Sequence, residues 1–272
     1  MQSDASALMD EINRAAWQTK ASVRTFSRLE GFTDEGERVA LDSIAREVRD
    51  QSLLDLGVGA GRTVPLLRAL SADYTAIDYT PELVIACRER YPGARVLHGD
   101  ARDLSSFPAE TFKLVVFSFN GIDAVNTDDR RKVLREVHRV LQRGGVFLFS
   151  AHNKRGPGCG ERLSFGVGKT RNPVKLLART LRALIEAPRT ARNYFRYSRL
   201  NEDQDGRSIM NAAAHNHGLL IQYITLEKQC EELERAGFRP HPEVYENVEG
   251  RRVETGDDTC SAWWLHYVAR KP

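Results

Sequence analysis

The sequence predicts an α/β fold: a doubly wound, mostly parallel seven-stranded sheet with helices on both faces and an α-helical insert after the fifth strand. Three observations carry this prediction. Short runs rich in Val, Leu, Ile and Phe alternate with helical stretches of about ten residues over 37–151, and the alternation resumes at 219; such apolar runs mark strands buried on both faces. The run Leu53-Leu54-Asp55-Leu56 passes through Gly57-Val58-Gly59-Ala60-Gly61 into a helical pattern, a device that brings backbone N–H groups close to a ligand. Between the two alternating regions, 152–218 follows a different pattern and is strongly basic.

The elements follow in order. Residues 5–30 read as a helix with Leu8, Ile12, Ala15, Ala16, Val23 and Phe26 at helical spacing, broken by Gly31 and Thr33–Gly36. A second helix covers 37–48. Strand 53–56, helix 63–70, strand 74–78 and helix 81–90 come next, the last opened by Thr80 as N-cap and Pro81 in the first turn. Strands 95–98 and 113–119, helix 128–141 ended by Gly144-Gly145, and strand 146–151 complete this half. In the insert, 153–168 is Gly-rich, 173–186 is an amphipathic basic helix (Val174, Leu177, Leu181, Leu184), Pro188 interrupts it, and 190–200 forms another helix. Strand 219–224, helix 226–236 and strands 240–246 and 260–269 follow. The expected units are an N-terminal helical lid (1–36), a ligand-binding core (37–151), a basic helical cap (152–218) and a C-terminal completion of the core sheet (219–272).

Composition narrows the class. The chain is 41% hydrophobic and 28% charged, as expected of a globular protein. Its four cysteines form no CxxC pair, which argues against a disulfide framework or zinc knuckle. The N-terminus lacks a signal-peptide pattern, and the apolar runs are too short for a transmembrane segment. A cytoplasmic location is expected. Charge is uneven: residues 151–200 hold twelve Lys/Arg against two acids, a local +10 that leaves −7 for the rest of a chain whose net charge is +3.

Gly57-x-Gly59-x-Gly61 is not the dinucleotide pattern, because position 62 is Arg where GxGxxG needs Gly. Asp78 ends the second strand, where a carboxylate can accept both ribose hydroxyls. Asp100 follows the third strand at the same sheet edge. Either acid alone is equally well read as a helix N-cap; three features at successive strand ends point to one nucleoside-like ligand.

These residues resemble those of the class I S-adenosylmethionine-dependent methyltransferases, whose core is Rossmann-like. The similarity covers about 37–151 and resumes at 220–269. Val137–Gly145 resembles the family's RVLxPGG helix end, with Arg143 where Pro is frequent, and Leu226–Phe238 its LxxAGF segment. The resemblance implies that S-adenosyl-L-methionine binds and S-adenosyl-L-homocysteine is released. It implies cofactor contacts from Asp55, Gly57, Gly59, Gly61 and Arg62 at the turn, Asp78 and Tyr79 at the ribose, Asp100, Ala101 and Arg102 at the adenine, and Phe117 and Phe119 beside them.

Methyl transfer is an in-line displacement that depends on positioning, with a proton acceptor for hydroxyl or carbon nucleophiles. His152, at the end of the fifth strand, is the expected general base, because imidazole as a class titrates near neutrality. Asn120 and Asp123 after the fourth strand are candidates for orienting an amine; each also reads as a loop residue. Trp17, His215, His217 and Tyr223 are candidate substrate contacts. His215 and His217 share one face if the segment is a strand, but no third ligand stands nearby, so no metal is expected. The acceptor is expected to be a small molecule, bearing O or N. For the basic insert we weigh nucleic acid, a membrane-surface or partner-docking helix, an acidic small substrate, and a solvated face pairing with the acidic remainder across a homodimer. A cap with a solvated face ranks first and nucleic acid last. An RNA methyltransferase and a cofactor-binding regulatory subunit are the alternatives.

Overall fold

Strands β1 (Leu53–Leu56) and β2 (Tyr74–Asp78) are buried at every residue, which requires a sheet covered on both sides. A computed structural model describing residues 4–19, 31, 33–163, 172–257 and 260–272 shows that sheet. With β3 (Arg95–His98), β4 (Phe112–Phe117), β5 (Leu141–His152), β9 (Glu243–Glu246) and β10 (Trp264–Arg270), it has the order β3-β2-β1-β4-β5-β10-β9. The first five strands are parallel, and β10 runs antiparallel to both β5 and β9.

Alternate residues on each strand serve opposite faces. Leu54, Leu56, Val115, Phe147 and Phe149 pack with Val133 and Val137 of α5 (Thr127–Val140) and Leu233 of α7 (Leu226–Arg235). Leu53, Ala76, Leu114, Val116 and Leu148 pack with Ile44 of α2 (Glu35–Val48), Leu67 of α3 (Val64–Arg68) and Cys87 of α4 (Pro81–Arg90). Side chains fix the starts of α2 and α5: Asp34 accepts from the Glu37 N–H, and Asn126 from those of Asp128 and Asp129. The chain turns in opposite directions from β1 to β2 and from β4 to β5. The carboxyl ends of β1 and β4 therefore flank a topological switch point, where an open α/β sheet leaves a crevice.

Three expectations on the fold need correction. Strand 219–224 exists as β8 (Leu219–Ile224), but it leaves the core sheet. It pairs with β7 (Arg207–Ala212), which pairs with β6 (Glu202–Gln204), in a separate antiparallel sheet. All six β8 residues are buried, partly under the first helix α1 (Asp4–Trp17), whose Asn13 bonds the backbone of Leu220 in both directions. Periodicity reports that a strand is buried, not which sheet buries it. The cap is thus mixed α/β, and only β9 and β10 of 219–272 join the core.

Pro188 does not end a helix. α6 (Pro173–Tyr197) continues through it for 25 residues. The carbonyl freed at Leu184 lies on an exposed stretch where water can solvate it, and the Thr190 hydroxyl donates across Pro188 to the Glu186 carbonyl at 3.0 Å. Thirdly, α5 stops at Val140 and β5 already begins at Leu141, because an irregularity in the β4–β5 register between Phe112 and Leu114 accommodates Gly144 at φ +68°. The N-terminal helix is described to Trp17; the continuation read over 20–30 and the stretch 164–171, with Lys169 and Arg171, lie outside the described residues.

Candidate active site

At the carboxyl end of β1 the chain turns through Gly57, Gly59 and Gly61 with φ of +64°, +57° and +95°. The three glycines have different jobs. A Cβ on Gly57 would lie 2.9 Å from the Phe117 ring, and one on Gly61 2.5 Å from the Tyr91 ring; on Gly59 it would meet nothing within 4 Å. Gly59 therefore faces the open side, into a cavity of 310 Å³ at the switch point. Gly57 also lines that cavity. Gly61, expected at the cofactor, does not: it lets α4 pack against the turn.

Asp55 stands behind the turn and accepts from the Thr63 hydroxyl at 2.5 Å and the Tyr74 hydroxyl at 2.7 Å. Burial, only partly offset by these bonds, pushes its carboxyl up to about 6. Above its unfolded value of 3.8 and up to about 6, the native state holds a proton that the unfolded chain releases. This contribution to stability therefore falls as pH rises through that window, and the ionised form costs roughly 3 kcal/mol at neutral pH. Chemical denaturation at pH 4 to 7 should show this fall in wild type and its absence in Asp55→Asn; identical pH profiles would refute it.

Arg62 makes a two-pronged ion pair with Glu37 at 2.8 and 2.9 Å and also donates to Ser118. It ties α2 to the glycine turn and to the end of β4 while its side chain lines the cavity. The Asp78 carboxylate accepts from the N–H groups of Gly59 and Thr80, both at 2.8 Å, and burial pushes its pKa up. Each of its oxygens keeps a further lone pair. At Asp100 burial opposes ionisation, but the Arg102 guanidinium, 2.6 Å away, outweighs it and holds the carboxyl below its usual value. Arg102 also pairs with Asp10 of α1 and Asp129 of α5, closing this end. Tyr79, Ala101, Phe117 and Phe119 line the same cavity.

The far end is built on strain. Phe119 and Asn120 take successive left-handed conformations, φ +55° and +60°, costing on the order of 1–3 kcal/mol each. The Asn120 N–H donates to the Ser150 hydroxyl at 2.8 Å, which holds the bend. Its side-chain Oδ1 is buried without a protein partner, while Nδ2 lies 3.4 Å from His152 Nε2. His152 Nδ1 lies 2.8 Å from an Asp123 oxygen that also accepts the His152 backbone N–H at 2.6 Å. A carboxylate there fixes the proton on Nδ1, so Nε2 is the acceptor nitrogen, with the Asn120 Nδ2–H as its long donor on the cavity side. Asp123 itself does not line the cavity. It is fully buried on Arg130, at 2.5 Å, which also pairs with Glu232. The expectation that Asp123 holds an amine is corrected: it orients His152 from behind.

Of the expected substrate contacts, Trp17 and His215 line the cavity, their rings 4.9 Å apart. His217 and Tyr223 do not. His217 Nδ1 bonds the Asn211 side chain at 3.0 Å, and Tyr223 backs the His152 ring at 5.2 Å. The His215–His217 segment is a turn with left-handed residues rather than a strand, so its imidazoles lack the shared strand face that the metal reading required. The wall also includes Asp10, Thr63, Ser118, Ile221 and Trp264, which sequence reasoning missed. Ser118 and Thr63 adjoin residues that were selected. Asp10, Ile221 and Trp264 come from distant elements and give no local signal.

A glycine turn after β1, acids at the ends of β2 and β3, and a polar cluster at the ends of β4 and β5 thus meet around one cavity at the carboxyl edge of the sheet. Residues 54–149 match the family model described as "Methyltransferase domain". The chain carries a class I S-adenosylmethionine-dependent methyltransferase domain, and S-adenosyl-L-methionine is the cofactor of that class. It is 28% identical over 125 residues to a probable S-adenosylmethionine-dependent methyltransferase of Mycolicibacterium smegmatis, covering 46% of this chain and 47% of that protein. It is 35% identical over 105 residues to the demethylmenaquinone methyltransferase of Thermotoga maritima, covering 36% and 42%. The match thus spans less than half of either relative. The fold is also that of the 1,6-didemethyltoxoflavin-N1-methyltransferase of Burkholderia thailandensis, solved with 1,6-didemethyltoxoflavin and S-adenosylhomocysteine. That likeness has a TM-score of 0.57 at 14% identity and covers 97% of this chain and 88% of the other. Among the described residues no helix is long and apolar enough to cross a membrane.

Proposed function

We propose that the protein transfers a methyl group from S-adenosyl-L-methionine to a nitrogen or oxygen of a small-molecule acceptor. One observation carries this reading: Gly59, Asp78 and Asp100 line one end of the same cavity whose other end holds Asn120 and His152. The residues fit the cofactor. Gly59 leaves a backbone surface with no Cβ obstruction, and the Asp78 and Asp100 carboxylates retain acceptor capacity for hydroxyl and amino groups. The demethylmenaquinone methyltransferase of Thermotoga maritima and the 1,6-didemethyltoxoflavin-N1-methyltransferase of Burkholderia thailandensis support a small acceptor by analogy.

Bound cofactor supplies a methyl on a positively charged sulfur, so its leaving group is already activated. The protein's own residues orient and deprotonate the acceptor. The unpartnered Asn120 Oδ1 accepts from an N–H or O–H and directs that atom's lone pair. His152 Nε2 takes the proton as the new bond to carbon forms, and Asp123 stabilises the resulting imidazolium. Trp17, Ile221 and Trp264 keep water from the acceptor side.

Isothermal titration with S-adenosylhomocysteine tests the cofactor half. Binding is expected, and Asp78→Ala should weaken it about 10–100-fold, the worth of charged hydrogen bonds. Equal affinity in the variant would remove Asp78 from the ribose site, and no binding by wild type at millimolar ligand would sink the reading.

A further inference from the structure

Helix α6 buries only Thr190 and Asn193 of its 25 residues. Its apolar residues point elsewhere. Val174, Leu177, Leu181, Leu184 and Ile185 recur at helical spacing along one stripe, and each is 52–80% exposed. A single exposed leucine is ordinary, but a contiguous stripe of five marks a covered face. Phe195 and Leu176 of the same helix are exposed as well, Leu176 on its other side, and the remaining large exposed apolar residues, among them Leu8, Ile85 and Val248, are scattered elsewhere.

Charge indicates what covers the stripe. The helix carries Lys175, Arg179, Arg182, Arg189, Arg192 and Arg196, all exposed, against the single acid Glu186, a net +5. Lys175, Arg182 and Arg189 are seven residues apart and run along one border of the stripe. A second copy would set this helix against itself, +5 facing +5, with one carboxylate per chain to answer it. A surface that is apolar in depth and anionic at its boundary matches both features at once.

We propose that α6 docks the protein on an anionic lipid bilayer, with the apolar stripe entering the headgroup boundary and the cations lying among lipid phosphates. The docked helix is coupled to the cavity. Asn193 Nδ2 donates to the Asn216 carbonyl at 3.0 Å, and the Tyr194 ring meets the His217 ring at 5.1 Å. These contacts hold the turn whose Ala214 and His215 line the cavity, so docking sets the cap of the site against the membrane. The proposal does not depend on methyl transfer.

Co-sedimentation with phosphatidylcholine vesicles, with and without phosphatidylglycerol, tests it on the full chain. Partitioning onto the phosphatidylglycerol vesicles is expected to exceed that onto phosphatidylcholine by about tenfold and to fall with added salt. The exposed-face variant Leu177→Glu/Leu181→Glu should lose about tenfold in partitioning, as should Lys175→Glu/Arg182→Glu, each with an unchanged thermal melt. The proposal is overturned if wild type fails to partition onto anionic vesicles or if either double variant partitions like wild type. It is equally overturned if wild type sediments as a dimer that Leu177→Glu/Leu181→Glu converts to monomer, since a second copy would then own the stripe.

Discussion

His152→Ala is expected to lower turnover by about 10²–10⁴-fold, the contribution of a positioned general base, while S-adenosylhomocysteine affinity stays near wild type. The separation follows from geometry: Nε2 serves the acceptor end of the cavity, and the turn, Asp78 and Asp100 serve the cofactor end. Release of S-adenosylhomocysteine with any acceptor that supports turnover gives the rate, and calorimetry gives the affinity. Turnover within a few-fold of wild type would remove His152 from proton transfer and leave a purely positional mechanism. Loss of cofactor affinity alongside rate would assign His152 to the wrong end of the cavity.

The largest stability effect is expected at Arg130→Ala, on the order of 3–5 kcal/mol. Arg130 is fully buried, pairs with Asp123 and Glu232, donates to the Ile122 carbonyl at 3.2 Å and bonds Gln229. Its removal leaves the fully buried Asp123 without a cation and Glu232 with Arg207 as its remaining one, and that penalty exceeds the loss of the contacts themselves. Domains are stable by only about 5–15 kcal/mol, so such a loss would show clearly as an earlier urea midpoint. The double variant Arg130→Met/Asp123→Asn, which removes that pair of charges together and leaves Glu232 on Arg207, should recover much of it. A loss below about 1 kcal/mol in the single variant would show that water or rearranged neighbours compensate. Because Asp123 also fixes the His152 tautomer, the same substitution should depress turnover in protein that remains folded.

The cofactor end was legible because its parts are local. Gly57, Gly59, Asp78 and Asp100 each follow a strand that the apolar pattern reveals, and a parallel sheet places all such strand ends on one edge. The roles of single residues were less legible. Gly61 and Gly59 look alike in a string, and only the Tyr91 ring against one and open space beside the other distinguish them. Asp123 reads as a loop acid three residues after Asn120, yet a 3₁₀ turn over Gly121–Ala124 rotates it inward to Arg130. β8 was placed in the wrong sheet because burial on both faces carries no label for its partner. Asp10 and Trp264, far apart in sequence, reach the cavity through contacts that no window of sequence contains. Trp264 Nε1 donates to Asp34 at 2.7 Å, and Asp10 meets Arg102 at 3.2 Å.

The antiparallel pairing of β5 with β10 has a consequence for synthesis. His152 at the end of β5 is paired with Trp264, 112 residues later. At about 5–20 residues per second, β5 waits on the order of 6–22 s with an unsatisfied edge and with Phe147 and Phe149 lacking Tyr267 on their aromatic stack. During that interval the parallel half of the domain offers a bare apolar strand to any chain nearby. The nascent protein, rather than the finished one, is then the form most exposed to aggregation and most in need of a chaperone.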